Sequence, residues 1–100
     1  MGLSRKSGQP NVHSALSTRH NRLSADFLQI DSEIALTLAG IALETTNEER
    51  RRRMILTARR AFDTIIRLRK DVVLSDAEGD KLDFNLLRLK GELQSLGQSI

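Results

Sequence analysis

The segment MILTARRAFDTIIRLRKDV, residues 54–72, places an apolar residue at alternating intervals of four and three positions. That spacing keeps returning to one side of an α-helix, and it is the a/d repeat through which helices pack side by side. The residues of the repeat are Met54, Ala58, Ala61, Ile65, Leu68 and Val72. The segment therefore predicts a long amphipathic helix, which we place at residues 47–74.

Two further helical segments lie on either side of this one. The later segment predicts a helix over residues 76–98 and has the repeat Leu82, Leu86, Leu89, Leu93, Leu96 and Ile100. The earlier segment predicts a helix over residues 24–44 whose large apolar side chains form one stripe, which we expect to pack in the core. The stripe consists of Phe27, Ile30, Ile34, Leu38 and Ile41.

The second half of this first helix is apolar nearly all round. Such a helix either sits centrally between partners or contributes to a contact between subunits. Its small residues, Ala35, Ala39, Gly40 and Ala42, would let another helix come close.

Polar residues mark where each helix begins. Ser24 can cap the first helix, and Thr46 with Glu49 fits a capping box at the start of the second. Ser75 with Glu78 fits a capping box at the start of the third. Short connections between helices favour antiparallel neighbours, so we predict an all-α fold of three long antiparallel helices in an up-down-up bundle.

The chain before Ser24 differs in composition from the rest. It contains the single proline, Pro10, is rich in Ser, Gly, Asn and Gln, and carries four basic side chains without an acidic one. A segment with so little apolar surface cannot offset the entropy lost on ordering. We therefore expect residues 1–23 to form a flexible basic tail in front of a helical domain over residues 24–100.

A run of four arginines at residues 50–53 raises the question of nucleic-acid binding. On the helix, Arg53, Arg60 and Arg67 recur at seven-residue intervals and could follow a row of phosphates. However, the chain has three Phe and no Tyr or Trp, so it lacks the aromatic platforms on which single strands stack. The predicted helices are also too long for a helix-turn-helix reader.

Acidic residues are spaced to neutralise this run. Glu48 and Glu49 precede arginines by four positions, and Asp63 lies within helical reach of three more. The predicted first helix, residues 24–44, carries four acidic and no basic side chains. We therefore expect the arginines to be paired within and between the helices of a bundle.

Residues that carry out chemistry are scarce. Without cysteine there are no disulfides or thiolate metal sites, which suits the cytoplasm. His13 and His20 would lie about 10 Å apart on a helix, too far to share a metal ion. The longest apolar run, residues 34–43, is well short of the roughly 20 residues needed to cross a bilayer. We expect no cofactor, metal, small-molecule substrate, enzymatic activity or membrane span.

These observations predict a non-enzymatic helical module for protein–protein interaction or scaffolding. Because 100 residues bury only a modest core, we expect it to self-associate into a homo-oligomer with a larger helical bundle. The predicted interaction residues are Arg53, Arg60, Arg67, Ile55, Phe62, Ile66 and Phe84. The alternatives are a nucleic-acid-associated accessory protein that uses the basic tail and the arginine row, and a helical partner that sequesters another protein.

Overall fold

Three helices make up the protein in a computed structural model, which describes the backbone of residues 2–100 and the side chains of residues 19–100. Helix α1 spans Gly2–Glu44, α2 spans Glu48–Leu68 and α3 spans Asp76–Ser95, with a 3-10 turn at Arg69–Asp71. Helix α1 packs against both of the others. The predicted all-α three-helix bundle is therefore confirmed.

Contacts between the helices establish their directions. Asn21 of α1 lies against Val73, beyond the end of α2, so α2 runs antiparallel to α1. Between α1 and α3, the residue numbers of the contacts increase on both helices: Arg22 contacts Glu78, and Ser32 contacts Asn85. Helix α3 therefore runs in the same direction as α1, which gives the up-down-up order.

Helix α1 meets the other two helices through its small side chains. Its fully buried face, at most 1% exposed, consists of Ala25, Leu28, Ser32, Ala35, Ala39 and Ala42. Most of the larger core residues come from the partners: Ile55, Phe62 and Ile65 on α2, and Leu82, Leu86, Leu89, Leu93 and Leu96 on α3. Alanines allow helix axes to approach to the short end of the usual 8–10 Å. The core is therefore built on close approach to α1.

The large apolar stripe of α1 was predicted to pack in the core, and this prediction is wrong for most of it. Phe27, Ile30, Ile34 and Ile41 are 44–55% exposed, and only Leu38 packs partly against the core. Helix α1 has two apolar faces, and α2 and α3 already supply bulky side chains to the space between the helices. Packing density favours the alanine face there, and the large stripe points outward.

The structure also differs from the predicted start of α1 at Ser24, because the helix continues through that residue from Gly2. Asn21 holds the backbone of Val73 by donating to its carbonyl at 2.9 Å and accepting from its N–H at 2.7 Å. Arg22 pairs with Glu78. Asn21 and Arg22 thus belong to the bundle, whereas the side chains of residues 1–18 in the predicted basic tail lie outside the described residues.

Helix α2 begins and ends at residues other than those predicted. Asn47, rather than Thr46, caps it, and its side-chain oxygen accepts from the Arg50 N–H at 2.9 Å. The helix stops at Leu68 instead of continuing to residue 74, and Val72 is extended. The two hydrogen bonds from Asn21 replace those that Val73 would make in a helix, so a tertiary contact overrides the helical pattern.

Helix α3 begins as predicted and ends earlier. The Ser75–Glu78 capping box is present in both directions, which confirms that prediction. The helix ends at Ser95 because Gly97 adopts a φ of 94°, in the left-handed region, and lets the Gln98 N–H donate to the Leu93 carbonyl at 2.9 Å. This reversal satisfies carbonyls at the helix end.

A buried polar contact joins α1 to α3. Ser32 and Asn85 are the two buried polar residues among the described side chains, and the Asn85 amide donates to the Ser32 hydroxyl at 3.1 Å. The Ser32 hydroxyl in turn donates to the Gln29 carbonyl at 2.7 Å. Because an unpaired buried amide costs free energy, this contact favours one register of α3 along α1.

We expect Ala39→Leu to lower the free energy of unfolding by about 1–3 kcal/mol, because the added methyl groups must push α1 away from its neighbours. Ala77→Leu makes the same change at an exposed position on α3 and should have little effect. Urea unfolding followed by circular dichroism measures both. Equal effects of the two substitutions would contradict the close approach of α1.

Protonation of Glu78 should also weaken the fold. Hydrogen bonds from the Arg22 side chain and the Ser75 backbone lower the pKa of Glu78 from 4.5 to about 2. Its stabilising contribution is complete above pH 4.5 and is lost as the pH falls through the folded-state pKa of about 2. Glu78→Gln should therefore destabilise the protein at pH 7, and the difference from the original chain should shrink as the pH falls. Urea midpoints over this range test it, with Asp80→Asn on the same helix as the control.

Candidate protein-interaction surface

An exposed row of large apolar side chains runs along α1, and we call it the α1 stripe. It consists of Leu23, Phe27, Ile30, Ile34 and Ile41, which are 63%, 48%, 55%, 52% and 44% exposed. The intervals follow an a/d repeat in which Thr37 occupies the remaining position. The α1 stripe is thus a second packing seam, and no described residue of the chain covers it.

The α1 stripe lies away from the bundle because of the geometry of α1. At 100° per residue, its centre is about 140° around the helix from the centre of the buried alanine face. Helices α2 and α3 occupy the alanine side. The α1 stripe is therefore open to another molecule along its length.

The exposed apolar area of the α1 stripe is comparable to the largest apolar patch of a typical monomer. About half of five large side chains, at about 150 Å² each, amounts to roughly 400 Å² of apolar surface. The largest apolar patch on a monomer is of that order and is often functional.

One end of the α1 stripe also adjoins a groove of about 840 Å³. The groove lies between α1 and the end of α2. Its apolar lining residues are Leu23, Phe27, Leu28, Leu68 and Val72, and its polar ones are His20, Asn21, Ser24 and Asp71.

Charged groups surround the α1 stripe unevenly. Arg19 and His20 lie at its N-terminal end, and Glu44 lies at its C-terminal end. Acidic residues flank its middle: Asp26 and Glu33 on one side, and Asp31 on the other. Glu33 pairs with Lys81 of α3 at 3.4 Å. Partial burial raises the pKa of Asp31.

The arginine row of α2 is exposed, and the prediction that it pairs with acidic side chains is wrong. Arg53, Arg60 and Arg67 have no carboxylate within 4.0 Å among the described side chains. The nearby acids pair elsewhere: Glu48 lies 3.8 Å from Arg51, and Asp63 lies 3.2 Å from Arg59. The side chains of Arg59 and Arg51 are partly buried, at 29% and 33% exposure, and they take partners that the row could have used.

Ion pairs were also predicted between α2 and the acidic helices on either side of it, and none is present among the described side chains. The ion pairs between helical segments join α1 to α3, through Arg22–Glu78 and Glu33–Lys81, and the 3-10 turn to α3, through Arg69–Asp83. Arg59 reaches the end of the chain, donating to the Ser99 carbonyl at 3.0 Å. The row therefore remains a free cationic face on α2.

The predicted apolar contact residues fall into two groups. Ile55 and Phe62 are 6% exposed and belong to the core, so the structure corrects their assignment to an interaction surface. Ile66 and Phe84 are 40% and 59% exposed, and the Arg88 guanidinium lies 5.9 Å from the centre of the Phe84 ring. Their part in an interaction stays a prediction.

The sequence contained a signal that the α1 stripe could face outward. Two apolar seams run along α1, one of large and one of small side chains, and both follow the three-and-four spacing. A helix needs only one such seam to join a bundle. The choice between them depends on the bulk of the partner side chains, which the sequence of α1 does not contain.

The described residues include no group of three or more His, Cys, Asp or Glu side chains arranged to hold a metal ion. Within the same part of the chain, no helix combines the length and the apolar character needed to cross a bilayer. The chain matches no protein family, and no curated protein or solved structure shows significant similarity to it.

Because the arginine row makes no ion pair in the described structure, Arg60→Gln should change the free energy of unfolding by less than about 0.5 kcal/mol. Arg59→Gln is the matched substitution one residue away. It removes contacts with Asp63, Gln98 and Ser99 and should cost more, on the order of 1 kcal/mol. Urea unfolding distinguishes them, and a larger loss for Arg60→Gln would show that the row holds the fold together.

Proposed function

We propose that the protein is a non-enzymatic helical interaction module that self-associates through the α1 stripe. The observation that carries the proposal is the a/d seam of half-exposed Leu, Phe and Ile side chains on a helix whose other face already holds the fold. Such a seam is the element with which helices join other helices. The proposed setting is the cytoplasm, where a protein without disulfides is at no disadvantage.

The size of the α1 stripe is sufficient for an interface of ordinary area. Apolar atoms make up roughly 60% of a typical interface, so roughly 400 Å² of apolar surface corresponds to about 700 Å² per partner. Specific interfaces bury about 800 Å² per partner. The groove beside Leu23 and Phe27 adds a concave site of the kind that receives an anchoring side chain.

Ile34→Gln should raise the dissociation constant of the assembly at least tenfold. The residue lies in the middle of the α1 stripe, and each of two copies would lose about 1 kcal/mol of apolar burial. Sedimentation velocity over a concentration series measures the change. Leu56→Gln makes a similar replacement at an exposed site on α2 and should leave association unchanged. A protein that stays monomeric at every concentration would overturn the proposal.

A second candidate function is association with nucleic acid, and the free arginine row favours it. Arg53, Arg60 and Arg67 lie on the side of α2 opposite its core residues and have no ion-pair partner among the described side chains. A row of free guanidinium groups can displace counterions from a phosphate backbone. Their spacing of seven residues, about 10 Å along the helix, allows each to contact a separate phosphate.

Replacement of Arg53, Arg60 and Arg67 by Gln tests this candidate in the full chain. If the row binds nucleic acid, the triple variant should lose affinity for a polyanion. The number of counterions released on binding, obtained from the salt dependence of the affinity, should fall by about three. A charge-matched variant with Lys81, Arg88 and Lys90 replaced by Gln is the control. Equal losses in the two variants would indicate binding through net charge alone and would count against a specific role for the row.

A further inference from the structure

The α1 stripe can be matched against any helix, but it matches itself particularly well when reversed. This argument rests on the proposed function, because it concerns the geometry of the self-association. If two copies of α1 run antiparallel, with residues whose numbers sum to 64 opposite each other, every position of the seam meets another position of the seam. The facing pairs are His20 with Glu44, Leu23 with Ile41, Phe27 with Thr37, and Ile30 with Ile34.

These pairs are complementary in size. Phe27, the largest residue of the seam, lies opposite Thr37, the smallest apart from the charged end, while Leu and Ile lie opposite Ile. A parallel pair would instead place Phe27 opposite Phe27 and Thr37 opposite Thr37. Helices pack best when large and small residues alternate across the seam, so the antiparallel pair leaves fewer gaps.

Charge gives the same preference. In the antiparallel pair, Arg19 and His20 of each copy lie beside Glu44 of the other, and this attraction occurs twice. In a parallel pair, Glu44 would face Glu44, and Asp26 would lie across from Asp31 of the second copy at the usual five-residue offset of flanking positions. Near the centre of the antiparallel pair, Asp31 and Glu33 would each lie close to the same residue of the second copy, and Glu33 already pairs with Lys81.

The surrounding surface also fits this arrangement. The groove beside Leu23 and Phe27 opens at one end of the α1 stripe, level with Ile41 of a reversed second copy. Two such grooves would occur, one at each end of the pair, each able to receive apolar groups of the other copy. The contact buries the same patch on both copies, as a two-fold interface requires.

We propose that the protein forms a two-fold homodimer in which the α1 helices pair antiparallel, centred between Ile30 and Ile34, with Arg19 of each copy beside Glu44 of the other. The occupant of the α1 stripe is thus a second copy of the same chain. The assembly is a six-helix bundle with both α1 helices in its middle.

Because the chain has no cysteine, single cysteines can report the pairing in the full-length protein. Leu23→Cys and Ile41→Cys proteins are mixed and oxidised. The antiparallel pair brings positions 23 and 41 together, whereas two copies of position 23 lie about 27 Å apart, far beyond the roughly 7 Å that a disulfide allows between Cα atoms. The mixture should therefore crosslink, and each variant alone should not. Thr57→Cys, exposed on α2, is the control and should not crosslink.

The possible results distinguish an error in this geometry from an error in the proposed self-association. Crosslinking of Leu23→Cys with itself would establish a parallel pair, overturning the antiparallel geometry while supporting self-association through the α1 stripe. A dimer by sedimentation that forms no crosslink at either position would place the contact on another face and overturn the inference. A monomer at every concentration would overturn both the geometry and the proposed self-association.

A charge exchange provides an independent check. Arg19→Glu or Glu44→Arg alone should raise the dimer dissociation constant about threefold or more, because each creates two like-charged contacts between copies. The dissociation constant of the double variant should lie within about twofold of that of the original protein, since opposite charges would again face each other across the two copies. Failure of the double variant to recover, with circular dichroism unchanged, would contradict the antiparallel pairing.

Discussion

Close approach between the alanine face of α1 and the two other helices is the constraint on which this structure depends. Ala35, Ala39 and Ala42 are fully buried and leave room for the bulky residues of α2 and α3. A large side chain on that face would separate the helices and open voids, which protein interiors do not tolerate. The position of every other residue of α1 follows from this contact, because one buried face sets the rotation of the whole helix.

That rotation separates the two tasks of α1. One face carries the fold through small residues, and the opposite face presents the α1 stripe to solvent. An exposed apolar seam on a helix that already packs in the core promotes aggregation unless another molecule covers the seam. This division of one helix into a structural face and an exposed seam is the main support for an interaction function.

Several polar contacts hold the ends of α2 and α3 in place, in addition to the Ser32–Asn85 contact within the core. Asn21 holds the backbone of Val73, Arg22 pairs with Glu78, and Arg59 reaches the last residues of the chain. Together they end α2 at Leu68 and bring the start of α3 onto α1. The arginines left outside these contacts form the free cationic row, so its availability results from the geometry of the bundle. The formal charge of the chain alone would not have revealed it.

The sequence by itself determined the class of fold, the number of helices and the capping box at Ser75, because helical periodicity and capping depend on residues near one another in the chain. It also indicated that α1 is apolar on more than one side. Only the tertiary structure decided which side is buried, where α2 ends, and that Ile55 and Phe62 belong to the core. Those outcomes depend on the bulk and hydrogen bonds of residues tens of positions away, which a local pattern does not contain.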